Sequence, residues 1–155
     1  MTRRRSAAIA AVLAGLVLLA ACGGSSSTDP SAKFKTSYES ARSHLRGTTE
    51  AIGAEIQQAS SQSDGQILSA FRKLAGRWQT QLSQLQSLKP PATVSADFNS
   101  LTGAASRVES DLNAVVSAAA THSYSAAQQA GASIVSDVTA ARQADATIAH
   151  KLRIA

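Results

Sequence analysis

The chain has 155 residues, 15 Lys and Arg against 10 Asp and Glu, three His and a single Cys. That length predicts one domain, and a lone Cys excludes an internal disulfide and any zinc or iron–sulfur site built from cysteines. Nine Gly and three Pro are too few for a fibrous or loop-dominated protein.

Arg3, Arg4 and Arg5 open the chain, and an uncharged apolar run from Ala7 to Ala21 follows. The run is shorter than the ~18 apolar residues of a spanning helix, and its basic lead-in marks it as the core of a secretory signal. It closes in Leu19-Ala20-Ala21-Cys22, with Gly23-Gly24-Ser25-Ser26-Ser27 behind it. In these residues the chain resembles a bacterial lipoprotein precursor. Leu-Ala-Ala-Cys matches that family's lipobox, and Leu19, Ala20 and Ala21 match the positions that the signal peptidase recognises. The resemblance implies that residues 1–21 are a lipoprotein signal peptide. It also implies that Cys22, acylated on sulfur, becomes the mature N-terminus and holds the protein on the extracytoplasmic face of the cell membrane. Two or three acyl chains anchor durably where one holds only marginally. The alanine-rich apolar run and the Cys-Gly-Gly-Ser-Ser-Ser junction resemble actinobacterial lipoproteins in particular.

Removing residues 1–21 takes away three of the 15 basic residues and none of the 10 acidic ones, so the net charge falls from +5 to +2. The basic balance therefore belongs largely to the signal, and nucleic acid is not an expected partner. Residues 22–31 are Gly/Ser-rich and end in Asp29-Pro30-Ser31, which reads as a flexible tether.

Residues 32–155 contain four long stretches of helical periodicity and no convincing strand. The first places Phe34, Tyr38, Ala41, Leu45, Thr48, Ile52, Ile56 and Ala59 on one face. It breaks at a polar cluster in which Ser63 or Asp64 is the expected cap of the next helix. The second carries Ile67, Phe71, Leu74, Trp78, Leu82, Leu85 and Leu88, and ends at Lys89-Pro90-Pro91. Pro91 suits the first position of a third helix. There Val94, Phe98, Leu101, Ala105, Val108, Leu112, Val115 and Ala119 alternate steps of four and three. The fourth stretch has capping-box spacing at Ser125 and Gln128 and runs through Tyr124, Ala127, Gly131, Ile134, Val138, Ala141, Asp145, Ile148 and Leu152. Short connections predict an all-α, up-down-up-down antiparallel four-helix bundle, with bulky residues of the first two helices facing alanines of the last two. The rival arrangement is a long antiparallel hairpin that dimerises. Leu85-Gln86-Ser87-Leu88-Lys89-Pro90-Pro91 resembles segments of helical-bundle bacterial lipoproteins, a likeness that implies no activity.

Chemistry is sparse in this pattern. No Glu is followed by His three residues later, as ferritin-like metal bundles require, and His44, His122 and His150 lie at different heights. Neither a Gly-x-Ser-x-Gly elbow nor a phosphate loop is present. No catalytic residue, metal or cofactor is expected. Asp145 is the one acid on a predicted seam, and counting back along the fourth helix sets it level with His44, flanked by Arg42 and Arg46. An interhelical pair between His44 and Asp145 would fix register; the plainer reading is a solvated Asp145 beside Arg142. The basic second helix (Arg72, Lys73, Arg77, Lys89) either complements the acidic third or leans on anionic lipid or an acidic polymer. Phe71, Trp78 and Phe98 are core residues at helical spacing, or else the lining of an apolar pocket. The expected function is a non-enzymatic binding or structural role in the envelope, with an unidentified envelope protein or polymer as partner. The alternative is a carrier or sensor of a small apolar ligand in the bundle core.

Overall fold

The computed structural model describes residues 29–154. The signal sequence, the lipobox with Leu19, Ala20, Ala21 and Cys22, and most of the Gly/Ser-rich stretch lie outside the described residues. Four helices follow one another: α1 (Pro30–Gln58), α2 (Asp64–Gln86), α3 (Ser95–Ala120) and α4 (Tyr124–Leu152), with a single 3₁₀ turn (Ala59–Ser61) after α1. Each packs against the next in antiparallel order, so the up-down-up-down bundle closes within one chain.

Side-chain caps set two of the four helix starts. Asp29 caps α1, its carboxylate accepting from Ser31 N–H at 3.0 Å, and Pro30 stands in the first turn. The boundary drawn after residue 31 is therefore two residues late: Pro30 and Ser31 are helical. Ser63 caps α2 in a complete capping box, donating its own N–H to Gln66 Oε1 at 2.9 Å while Ser63 Oγ accepts from Gln66 N–H. Pro91 does not open α3. It accepts from Val94 N–H at 3.0 Å in a turn that drops Val94 fully into the core before the helix starts at Ser95.

The start of α4 is set by how α3 ends. His122 takes the left-handed conformation (φ 54°) and Ser123 N–H donates back to Ala118 O at 2.9 Å, a Schellman closure. This makes Ser123 the residue before the helix and places Ser125 inside the first turn, so the expected box with Gln128 does not form. Gln128 instead donates to Tyr124 Oη at 3.1 Å.

All eight seam residues of the third stretch are buried. Phe34 stacks on Tyr38 with centroids 5.6 Å apart, and Phe98 meets both edge-on at 5.7 and 6.3 Å. Trp78 is 2% exposed and donates its indole N–H to Ala105 O at 2.8 Å, which ties α2 to α3. Ala104, Ala118 and Ala119 of α3 and Ala130 and Ala149 of α4 are buried small residues, and these two helices are the most closely packed pair. Small side chains permit short interaxial distances. The bulkier α1 stands off from α4, the least intimate pair of neighbours in the bundle. No helix among the described residues is long and apolar enough to cross a membrane.

Candidate functional site

A polar cluster crosses the gap between α1 and α4. Tyr38 Oη donates to Asp145 Oδ1 at 2.8 Å, and Arg42 Nε donates to both Asp145 oxygens at 2.8 and 2.9 Å. The Arg42 and Asp145 side chains are only 16% and 19% exposed, and Tyr38 is fully buried. Burial pushes the Tyr38 phenol far above its ordinary value, reinforced by the Asp145 hydrogen bond and charge and opposed only by Arg42. The hydroxyl is thus a neutral donor at every physiological pH.

The pairing of Asp145 with His44 is corrected by this geometry. Residues 38 and 42 are one turn apart on the face toward α4, whereas two residues beyond Arg42 the helix has turned by about 200°. His44 is accordingly exposed. Asp145 is a seam acid, but its partners are Arg42 and Tyr38, and Arg142 points to solvent.

Beside this cluster lies a cleft of about 440 Å³. Leu45, Trp78, Leu101, Ala105, Val138 and Ala141 form its apolar walls, the Tyr38–Arg42–Asp145 cluster one flank, and Arg46 and Arg142 its rim. Neither rim arginine is in an ion pair among the described residues. A second hollow, about 480 Å³, opens at the far end of the bundle over Ile56, Ile67, Phe71 and Val115. Tyr124 and Val135, 73% and 57% exposed, stand on its edge. The three aromatics expected to share one pocket are therefore divided. Trp78 lies under the cleft, Phe71 under the far hollow, and Phe98 in the ring cluster with Phe34 and Tyr38.

Besides Arg42–Asp145, the ion pairs between helices among the described residues run from α3 to α4, and none from α2 to α3. Lys151 holds Asp97 at 2.6 Å and Arg107 holds Asp137 at 2.7 Å. Arg72, Lys73, Arg77 and Lys89 are exposed and outside every ion pair among the described residues. His122 meets Asp64 at the far end, away from His44 and His150. Among the described residues no three of His, Cys, Asp and Glu come together as metal ligands would.

One feature escaped periodicity altogether. Asp111, a turn after Arg107, sits against Asp137, and one of its carboxylate oxygens is buried without a hydrogen-bond partner. Burial first, then the charge and hydrogen bond of Asp137, raise its pKa above the usual carboxylate range, while Arg107 offsets part of this. A carboxyl whose pKa is higher folded than unfolded binds its proton more tightly in the folded chain. Its contribution is favourable at acid pH and is lost as pH rises through the ordinary aspartate range and above. Asp111→Asn should therefore stabilise the bundle at pH 7, by less than about 1 kcal/mol for so screened a pair. The gain should vanish below about pH 4, which urea titrations at the two pH values would read.

Comparison of the chain with protein-family models, with characterised proteins and with solved structures returned no match.

Proposed function

We propose that this chain is a lipid-anchored, extracytoplasmic binding protein with a non-catalytic role. Cys22 carries the acyl anchor, and the cleft between α1 and α4 receives a small ligand. The cleft over Trp78 is the observation that carries this reading, since its volume falls within the ~300–1,000 Å³ usual for small-molecule sites. Its chemistry narrows the ligand beyond a purely apolar one. Apolar walls suit a hydrocarbon body, and Arg46 and Arg142 at the rim suit an acidic head group. Native mass spectrometry of the protein taken gently from its own membranes should find an acidic amphiphile bound. Val138→Trp, which fills the cleft, should abolish that adduct; an adduct that persists would show that the ligand sits elsewhere.

The anchor has its own test. Cys22→Ser should move the protein from the membrane to the soluble extracytoplasmic fraction and remove the acyl mass from the intact chain. Cleavage at the same place together with unchanged fractionation would sink the anchored reading.

A second reading is favoured by one specific observation, the exposed Tyr124 and Val135 beside the far apolar hollow. That end suits contact with an envelope protein, and crosslinking from position 135 would capture it.

A further inference from the structure

Charge is unevenly distributed along the bundle. The end at which α1 begins gathers Lys33, Lys35, Lys89, Lys151 and Arg153 around three acids among the described residues, Asp29, Asp97 and, one turn beyond Lys35, Glu39. Lys35 Nζ donates to Arg153 O at 2.9 Å and Lys151 pairs with Asp97, which joins the start of α1, the end of α4 and the start of α3 into one basic surface. Lys33, Lys89 and Arg153 are exposed and in no ion pair among the described residues. The opposite end is the reverse. The last two turns of α1 and α3 and the first two of α2 and α4 contain no Lys or Arg, while Glu55 and Asp64 lie there.

The basic end is also the end from which the chain leads back to Cys22. Asp29 lies seven residues beyond Cys22, a reach of at most about 25 Å even when fully extended. The 29 residues of α1 span about 43 Å, several times the ~8 Å over which a charged surface acts at physiological salt. Standing upright, a protein held at Cys22 has only one end inside that field.

We propose that the basic end is a docking face for an anionic lipid surface, which stands the bundle upright with its acidic end and the Tyr124–Val135 hollow turned outward. Juxtamembrane cations are attracted by anionic headgroups, and the acidic end is repelled by them. The proposal rests on Cys22 as the anchor, and its test imposes that anchor chemically so that the two stand or fall separately. The chain from Cys22 onward, coupled through its only cysteine to a maleimide phospholipid, is placed on phosphatidylcholine vesicles with and without phosphatidylglycerol. Lysine acylation is then read by mass spectrometry. On the anionic vesicles, labelling of Lys33 and Lys89 should fall about fivefold, the change that ~1 kcal/mol per near-surface cation supports. Lys73, midway along α2, should label as before, and about 1 M salt, where screening shortens to ~3 Å, should restore the two lysines. Lys33→Glu with Lys89→Glu should abolish the protection of Lys35 and Lys151 while leaving helicity intact. Equal labelling on both vesicle types, protection of Lys73 to the same degree, or equal protection by soluble polyphosphate would each overturn the lipid assignment. Absence of acylation in cells, with the footprint intact, would remove the natural anchor and leave the docking face standing.

Discussion

Trp78→Ala is expected to lower the stability of the bundle by about 3–5 kcal/mol, the cost of truncating a buried aromatic. The side chain is 2% exposed and makes two contributions that alanine loses. It fills the space between α2 and α3 and the floor of the α1/α4 cleft, and its indole N–H donates to Ala105 O at 2.8 Å. Trp78→Phe separates them: most of the volume stays and the hydrogen bond goes, for a loss of about 1–2 kcal/mol. Against a total stability of about 5–15 kcal/mol for a domain, the alanine variant sits close to unfolding. Because Trp78 is the only tryptophan, its fluorescence follows the wild-type transition, and urea unfolding followed by far-ultraviolet circular dichroism compares all three proteins. An alanine variant within 1 kcal/mol of wild type would show that the floor of the cleft collapses freely, and the cleft would lose its standing as a built site.

Helical periodicity carried most of this fold and little of the site. The third stretch was legible because Val94, Phe98, Leu101, Val108, Leu112 and Val115 are large enough to fix the phase, and each of them is buried. The fourth was less so. Its early seam consists of Ala127 and Gly131, residues too small to mark a face, and Tyr124, counted with them, is 73% exposed. Asp145 could be recognised as a seam acid from phase alone. Its partner could not, because periodicity gives the face of a helix and leaves the height of its neighbour open. A miscount of two residues, from Arg42 to His44, moves a side chain to the opposite side of α1. The same limit divided the aromatics: Phe71 and Trp78 share a face but lie about 10 Å apart along the axis, enough to put one under each hollow. The cleft had no signature in any single stretch. It arises because alanines draw α4 toward α3 while α1 stands away, a property of three helices at once.

Asp145→Ala tests whether the polar cluster that spans this gap sets the register of α1 against α4. The variant deprives Tyr38 Oη, fully buried, of its acceptor and takes from Arg42 a carboxylate held at 2.8 and 2.9 Å. Exposed ion pairs are worth about 0–1 kcal/mol and breaking a fully buried pair costs about 3–5. With side chains 16% and 19% exposed, this one falls between, and the expected loss is about 2–3 kcal/mol. Asp145→Asn keeps an acceptor for Tyr38 and removes only the charge, so it should cost about 1 kcal/mol. A double-mutant cycle between Asp145→Ala and Tyr38→Phe should return a coupling of at least about 0.5 kcal/mol, as contacting residues do. Register makes a sharper demand than stability. Apolar seams built on heptad-like spacing tolerate sliding, and a single polar pair penalises every alignment but its own. Hydrogen exchange should therefore show α1 and α4 losing protection together in the alanine variant while α2 and α3 keep theirs. Unchanged stability with unchanged exchange would mean that apolar packing alone aligns the two helices, and that Asp145 does no more than give the cleft a charged flank.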